Sequence, residues 1–553
     1  MKTLGFPRGY WYNITIRNQE VWSLVTPAKE QEYLTKIHTQ EAVIEQLKKE
    51  LELHSKQNDL LQQQVNALTE ILIQMRKDKF GSKSEKTKVL DNQLNFFNEP
   101  ELCADLKETE PIVKIGKKGV SVRARKVREE ALKDLPVEVH EYDLPDNEMT
   151  CPQCSHTLKK IGSQFVRNII KYIPAQIAVE RLMQNSYECP CCKGTEHPFI
   201  RKATVPVSFM PHSLASAGSV AEVITQKYVN SVPLYRQEEI WKNLGIELSR
   251  ATMSNWVIYG AENYLMPIVD LLKDKLLTRD LMHIDETTTQ VLKEDGKKPE
   301  TKSYMWVYRS GNDGRKPIVI YDYKPSRDGE IPAEFLKDYK GYIHTDGYAG
   351  YNKVKNVTRC GCWAHLRRKF VEADTASKGE DGYARKGIAY CDKLFHIEDQ
   401  LKDLSRDERY KKRLELEKPV IDEFWKWIYD SLPIVLPKTK LGKALAYAVN
   451  QKPYMENYLK DGRCSLSNNI AENAIRPFTV GRKNWLFADT PKGAKASAAI
   501  YSIIETAKAN GINVRDYLEY LFTVMPTEDW RKDPEMLESL TPCSPEIRKK
   551  FKN

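Results

Sequence analysis

The stretch 281-LMHIDETTTQVL-292, continued by 303-SYMWVYRS-310, 317-PIVIYDYK-324 and 341-GYIHTDGYAGYN-352, decides the fold. Each run is rich in β-branched and aromatic residues, and each reads as a short strand. The first three are spaced for an antiparallel meander. A helical signal, 331-IPAEFLKDY-339, precedes the fourth. Three antiparallel strands, a helix and a parallel fourth strand predict an RNase H-like sheet with its first and fourth strands side by side. Asp285 on the first and Asp346 on the fourth would then meet. Adjacent carboxylates repel and are costly at neutral pH without a cation between them. Oxygen ligands suit Mg²⁺ or Mn²⁺. A pair of such ions activates an attacking oxygen and stabilises a leaving oxygen at a phosphate.

Local sequence leaves the third carboxylate open among Glu286, Asp322, Asp328 and a distant candidate. That candidate is Glu472, within 467-SNNIAENAIRP-477, which opens a helix and carries Arg476 one turn on. The next segment, 481-GRKNWLF-487, adds Arg482 and Lys483, as a metal site facing DNA would require. Between Asp346 and this helix, about 375–465 reads as a helical insertion. Around 353–370, Lys353, Lys355, Arg359, Arg367, Arg368 and Lys369 occur with no acidic residue and interleave with Trp363, His365 and Phe370. Basic residues alternating with aromatics fit a nucleic-acid track. Cys360 and Cys362 beside His365 have poor zinc spacing and read as buried cysteines.

Upstream, Cys151-Pro-Gln-Cys154 and Cys189-Pro-Cys191-Cys192 supply two CxxC knuckles. Two knuckles complete a tetrahedral zinc site, read here as structural, with Cys151, Cys154, Cys189 and Cys192 as ligands. His156 and His197 are alternative ligands. The intervening IIKYIPAQIAVERLMQNSYE reads as two strands. Residues 213–262 form a helical module. PLYRQEEIWKNLG ends at Gly245, and Ser249 caps a following helix, as in helix-turn-helix motifs. That helix would aim Arg250, Thr252, Ser254 and Asn255 at base edges and bury Met253 and Trp256.

Residues 33–75 predict a parallel two-stranded coil. Its seam alternates Ile37, Ile44, Leu51, Asn58, Val65 and Leu72 with Gln40, Leu47, His54, Leu61, Leu68 and Met75. The helix is expected to stop near Phe80-Gly81. Within 111–130 the local net charge is +5, which suits either a solvated linker or a phosphate track.

Composition bounds these readings. The chain has 553 residues, 41% hydrophobic and 29% charged, with a net charge of +10, which excludes a wholly disordered protein and predicts several domains. No apolar run reaches the roughly 20 residues of a membrane span. The opening MKTLGFPRGYWYNITIRNQE lacks the apolar core of a secretory signal. A cytoplasmic protein is expected, and in a reducing compartment its 11 cysteines point to metal rather than disulfides.

The motifs together resemble the transposases of the insertion-sequence 66 family, bacterial DDE enzymes. They are FGSKSEK (80–86), the paired CxxC segments, PLYRQEEIWKNLGIELSRATMSNWV (233–257), HIDET (283–287) and TDGYAGYN (345–352). CWAHLRRKF (362–370), SNNIAENAIRPFTVGRKNWLF (467–487) and YSIIETAKANGINVRDYLEYL (501–521) complete the set. The resemblance runs from about residue 30 to about 525. It implies that Asp285, Asp346 and Glu472 form the triad, carried by HIDET, TDGYAGY and NNIAENAIRP. Asn473 stands where many relatives have arginine.

The fold class expected is multidomain α/β. An arm (1–27) precedes a coiled coil (28–82), a basic linker (83–139), a zinc-binding domain (140–200) and a helix-turn-helix region (201–265). An RNase H-like catalytic domain with its helical insertion (266–500) and a C-terminal helical segment (501–553) follow. DNA contacts would come from Arg250, Thr252, Ser254, Asn255, Arg367, Arg368, Lys369, Arg476, Arg482 and Lys483. The resemblance further implies binding of inverted-repeat ends and target DNA, Mg²⁺- or Mn²⁺-dependent cleavage and strand transfer. It also implies a homodimer or higher oligomer, two small accessory proteins of the same element, and a nucleoid-associated location. Two other functions use the same residues: a zinc-containing DNA-binding regulator without catalysis, and an RNase H-like nuclease.

Overall fold

The computed structural model describes residues 200–377 and 382–552, the stretch 177–188 and parts of 31–58. No helix among them is long and apolar enough to cross a membrane. Residues 38–54 are helical, with Ile44, Leu47 and Leu51 exposed. The rest of the coil, its stop at Phe80-Gly81, the basic linker and the four zinc-ligand candidates lie outside the described residues.

Strand β1 (Ser186–Glu188) pairs antiparallel with β2 (Ile200–Lys202), so the segment bearing Cys189 and Cys192 connects them. In the run expected to give two strands, the described residues 177–185 are not strand.

The helical module comprises α1 (Ala217–Tyr228), α2 (Leu234–Asn243) and α3 (Arg250–Gly260). Gly245 turns the chain after α2 with φ +99°, a conformation that favours glycine. Ser249 caps α3 by accepting from Thr252 N–H at 3.2 Å. Met253 and Trp256 are buried, as the spacing predicts. α3 runs through a π-helical turn, Ala261–Leu265, directly into α4 (Met266–Leu277).

The central sheet holds β3 (Leu281–Gln290), β4 (Lys302–Ser310), β5 (Val319–Lys324), β6 (Gly341–His344) and β7 (Val357–Cys360), in the order β5-β4-β3-β6-β7. The first three are antiparallel, while β3–β6 and β6–β7 are parallel. Helix α5 (Glu330–Phe335) makes the crossover before β6. The insertion holds α6 (Trp363–Ala376), α7 (Gly382–Leu401), α8 (Arg406–Ser431) and α9 (Lys440–Met455), and α10 (Asn469–Trp485) follows it. α11 (Pro491–Ala509) and α12 (Val514–Val524) close the described chain with two short helices, α13 (Pro534–Ser539) and α14 (Pro545–Lys550).

Two apolar cores result. One joins the helical module, the sheet and α10–α12. The other lies inside the insertion around Trp363, Phe370, Phe424 and Trp427. The aromatics of the expected nucleic-acid track are therefore core: Trp363 and Phe370 are fully buried. The boundary expected at 500/501 falls inside α11. Ser502 and Thr506 of that helix accept the N–H groups of Tyr321 (2.8 Å) and Val319 (3.0 Å). These bonds satisfy the free edge of β5, so α11 belongs to the sheet. The boundary at 265/266 likewise cuts a continuous helical run.

Candidate active site

The register of β3 and β6 builds the site. His283 pairs with His344 in parallel, so two residues further along the two chains Asp285 comes opposite Asp346. Parallel neighbours lie about 4.8 Å apart, close enough for the carboxylates to share an ion. Asp346 is fixed by its own backbone: its Oδ1 accepts the Tyr348 N–H at 2.9 Å. Arg359 is buried behind it and donates to Thr345 Oγ1 (2.8 Å), the Asp346 carbonyl (2.6 Å) and Asn352 Oδ1 (2.7 Å). Arg359 thus leaves the expected basic track and becomes an internal brace. Lys353 also departs from it, paired with Asp328 (3.0 Å) and Glu330 (3.1 Å).

Glu472 arrives from 126 residues downstream in sequence. Asn468, the residue before α10, is buried against β3, where its Nδ2 donates to the Ile284 carbonyl (2.8 Å) and its Oδ1 meets His283 Nδ1 (3.0 Å). Arg309 on β4 donates to the Ile470 carbonyl at 3.2 Å. These bonds set the first turn of α10 over Asp285. A helix N-terminus carries partial positive charge and favours a carboxylate there. His365 and Arg368 of α6 complete the wall: His365 Nδ1 lies 3.5 Å from Glu472 Oε1, and Arg368 Nη2 donates to Glu472 Oε2 at 3.3 Å.

The Asp285 carboxyl is pushed up to about 8, first by burial, then by the charges of Glu286 and Asp346; the Glu286 N–H opposes this and Glu472 adds to it. Glu286 is also raised, by burial and by Asp346. His365 is lowered, chiefly by burial, so its imidazole is neutral at neutral pH. Glu472 Oε1 and His365 Nδ1 are buried without a hydrogen-bond partner. Repelling carboxylates beside unpartnered oxygen and nitrogen atoms fit a hard divalent cation. Asp285 feels the charges of both Asp346 and Glu472, so the three carboxylates share one neighbourhood. Cys362 lies within reach of His365 and Glu472, but burial pushes its thiol up to about 11, and it is no partner for a hard ion.

Of the other carboxylates open at the third position, Glu286 stays beside Asp285 and Asp346 but is ion-paired, and Asp322 and Asp328 are paired elsewhere. Glu286 is held by Arg327 (Nε donating at 2.6 Å) and by the Tyr351 hydroxyl. Asp322 pairs with Lys324 at 3.4 Å and Asp328 with Lys353. Arg327, which also approaches Asp346 at 3.8 Å, carries no local motif and escapes sequence reading. So does Asn468 as the anchor of α10.

The expected DNA-contact residues divide by position. On α3, Arg250 and Asn255 are exposed and Thr252 and Ser254 half-buried. Arg368 faces Glu472, whereas Arg367 pairs with Asp392 of α7 (2.5 Å) and Lys369 with Glu372 (3.5 Å). Arg476 is exposed and lines a cleft with Tyr228, Asn473 and Lys508. Arg482 is half-buried and donates to Thr287 and Thr288 Oγ1, both at 3.3 Å. Lys483 is exposed.

The family model described as "Transposase IS66 family" matches residues 212–496, the span that contains all three carboxylates. The chain belongs to the IS66 transposase family. Further models of that family match residues 148–193 (zinc-finger binding domain of transposase IS66), 502–543 (IS66 C-terminal element) and 67–139 (Transposase C of IS166 homeodomain). The chain is thus a DNA-binding transposase with a zinc-finger segment. It is 28% identical to the uncharacterized protein y4hP of Sinorhizobium fredii (strain NBRC 101917 / NGR234) over 467 residues, 80% of this chain and 83% of that protein. It is 30% identical to the uncharacterized protein y4qI of the same organism over 337 residues, 58% of this chain and 62% of that protein.

Proposed function

We propose that this transposase cleaves and joins DNA through an RNase H-like DDE centre of Asp285, Asp346 and Glu472. What supports the reading is that carboxylates from β3, the chain just after β6 and α10 lie close enough for Asp346 and Glu472 to raise the Asp285 carboxyl, with His365 beside Glu472. When bound by these carboxylates, Mg²⁺ or Mn²⁺ supplies charge neutralisation at a phosphate and lowers the cost of forming an anionic oxygen nucleophile. The protein fixes the geometry: Asn468 holds Glu472 over β3, Arg359 braces Asp346, and Arg368 orients the Glu472 carboxylate. Water attacks first at the end of the element, and the freed 3′-hydroxyl then attacks target DNA in line. Neither step needs a covalent protein–DNA intermediate.

Recognition of the inverted-repeat ends falls to the zinc segment, with Cys151, Cys154, Cys189 and Cys192 as its Zn²⁺ ligands, and to the α2–α3 helix-turn-helix. There Arg250, Thr252, Ser254 and Asn255 face base edges. Arg368, Arg476 and Lys483 line the phosphate path. The seam around Ile44, Leu47 and Leu51 pairs two chains as a parallel coil, leaving the domain order given by the sequence, with α11 assigned to the catalytic unit. The location is cytoplasmic, at the nucleoid, with the element's two small accessory proteins as partners.

The test uses labelled DNA from both flanks of the gene, incubated with Mg²⁺ or Mn²⁺ and either the wild-type protein or Asp285→Asn. Nicks at inverted repeats and joined products, both lost in the variant while binding persists, support the reading. Nicks without joining favour a nuclease, and binding without cleavage by the wild type favours a regulator.

A further inference from the structure

Helix α10 ends in an unusual way. Leu486 adopts φ +66° and ψ −50°, and Phe487 N–H donates to the Trp485 carbonyl at 2.8 Å. This is a three-residue γ-turn of the rare strained hand, built on a leucine rather than a glycine. Its two tip residues are apolar and face water: Leu486 is 64% exposed and Phe487 43%. Strain and apolar exposure both oppose folding, and yet the tip is rigidly held on both sides. Before it, Trp485 carries the Lys227 ammonium 4.2 Å from its ring centroid and packs edge-on to Tyr228. After it, Ala488 N–H donates to the Gln290 carbonyl (2.9 Å), Leu292 N–H to the Ala488 carbonyl (3.0 Å) and Lys293 N–H to the Asp489 carbonyl (2.8 Å). The tip is therefore fixed to the continuation of β3, the strand that bears Asp285.

We propose that Leu486 and Phe487 form a wedge that enters the base stack of the bound DNA and supports an unstacked nucleobase. The inference rests on the DNA-cleaving reading above. The occupant is DNA rather than protein because the tip is continuous with the active-site elements and follows a cation. Lys483 lies on the last turn of the same helix, is exposed, and has no ion pair among the described residues. Apolar side chains beside a cation suit a kinked duplex, where the base step opens around the wedge and the phosphate meets the ammonium. Distance agrees: Glu472 and Leu486 are separated by about 21 Å of helix at 1.5 Å per residue. The wedge would act about six base steps from the scissile phosphate, at a helical rise of about 3.4 Å per step.

The experiment uses the full chain and terminal duplexes from the flanks of its gene, with 2-aminopurine placed singly at successive steps from the cleavage point. Wild type is expected to raise the fluorescence severalfold at one or two steps. Leu486→Gly, which relaxes the turn, and Phe487→Ser are expected to bind the same duplex within about threefold of wild type and to lose the rise. Equal fluorescence for wild type and both variants overturns the wedge. A fall in oligomer size by sedimentation in the variants, with fluorescence retained, also overturns it and assigns the tip to a protein contact. Failure of the wild type to bind any flank duplex removes the underlying DNA reading as well, which separates the two failures.

Discussion

Replacing Asp285 with Asn should make the protein more stable in the absence of a divalent cation while abolishing cleavage. The substitution keeps shape: Asp285 Oδ1 accepts the Glu286 N–H at 2.9 Å, and an amide oxygen does the same. What it removes is charge. In the fold the carboxyl is pushed up to about 8, first by burial and then by Glu286 and Asp346. In the unfolded chain it ionises at about 3.9. Between these values the folded state holds a proton that the unfolded state has lost, so wild-type stability falls as pH rises across the window and levels off above it. From about pH 5 to about pH 7.5, wild type should lose up to about 3 kcal/mol that the variant keeps, at 1.36 kcal/mol per unit. Thermal unfolding of both proteins, with their zinc retained, should show the curves diverging by several degrees over that range. Millimolar Mg²⁺ should recover wild type by binding the folded state alone, and should move the variant much less. Parallel pH dependences, or an equal Mg²⁺ shift in both proteins, would refute the idea that repulsion at Asp285 is what the cation relieves.

Arg359→Met should cost about 3 kcal/mol in chemical denaturation, because the oxygens of Thr345, Asn352 and Asp346 lose a buried donor. It should also reduce cleavage more than end binding. Arg413→Met should destabilise by about 3–5 kcal/mol, since Arg413 is fully buried between Glu398 and the carbonyls of Tyr458, Asp461 and Cys464; limited proteolysis should then cut first within the insertion. Gly462→Ala should raise susceptibility in the same assay, because the new Cβ would sit 2.0 Å from the Arg406 carbonyl oxygen. Lys483→Ala should weaken DNA binding without regard to sequence and lower the slope of log K against log salt by about 0.9.

The strands and their order were legible from β3 to β6 because period, turn residues and spacing are local properties. The same holds for the capped α3, whose Ser249 and buried Met253 and Trp256 follow from spacing alone. The basic track misled because charge along a sequence carries no direction. Six cations within 353–370 separate in space into a buried brace (Arg359), ion-paired residues (Lys353, Arg367, Lys369), one exposed residue (Lys355) and one group at the site (Arg368). The bonds that tie the helix across 500/501 to the sheet were not legible, because Ser502 and Thr506 resemble any polar positions on a helix until β5 lies beside them.

Sequence by itself predicted that Asp285 and Asp346 meet, since a parallel fourth strand beside the first is a consequence of pattern and connectivity; in the fold Asp346 follows that strand by two residues. It also determined the family, through motifs that need no folding to be compared. The resemblance implied Glu472 as the third carboxylate, and only the tertiary structure shows what brings it near the pair. Asn468 bonds to β3 and swings the start of α10, with Glu472, over the sheet, while Glu286, adjacent in sequence to Asp285, is held by Arg327 and Tyr351. The physical reason is range: backbone period acts over a few residues, whereas carboxylate repulsion, burial and side-chain anchoring act between groups that only the folded chain brings together.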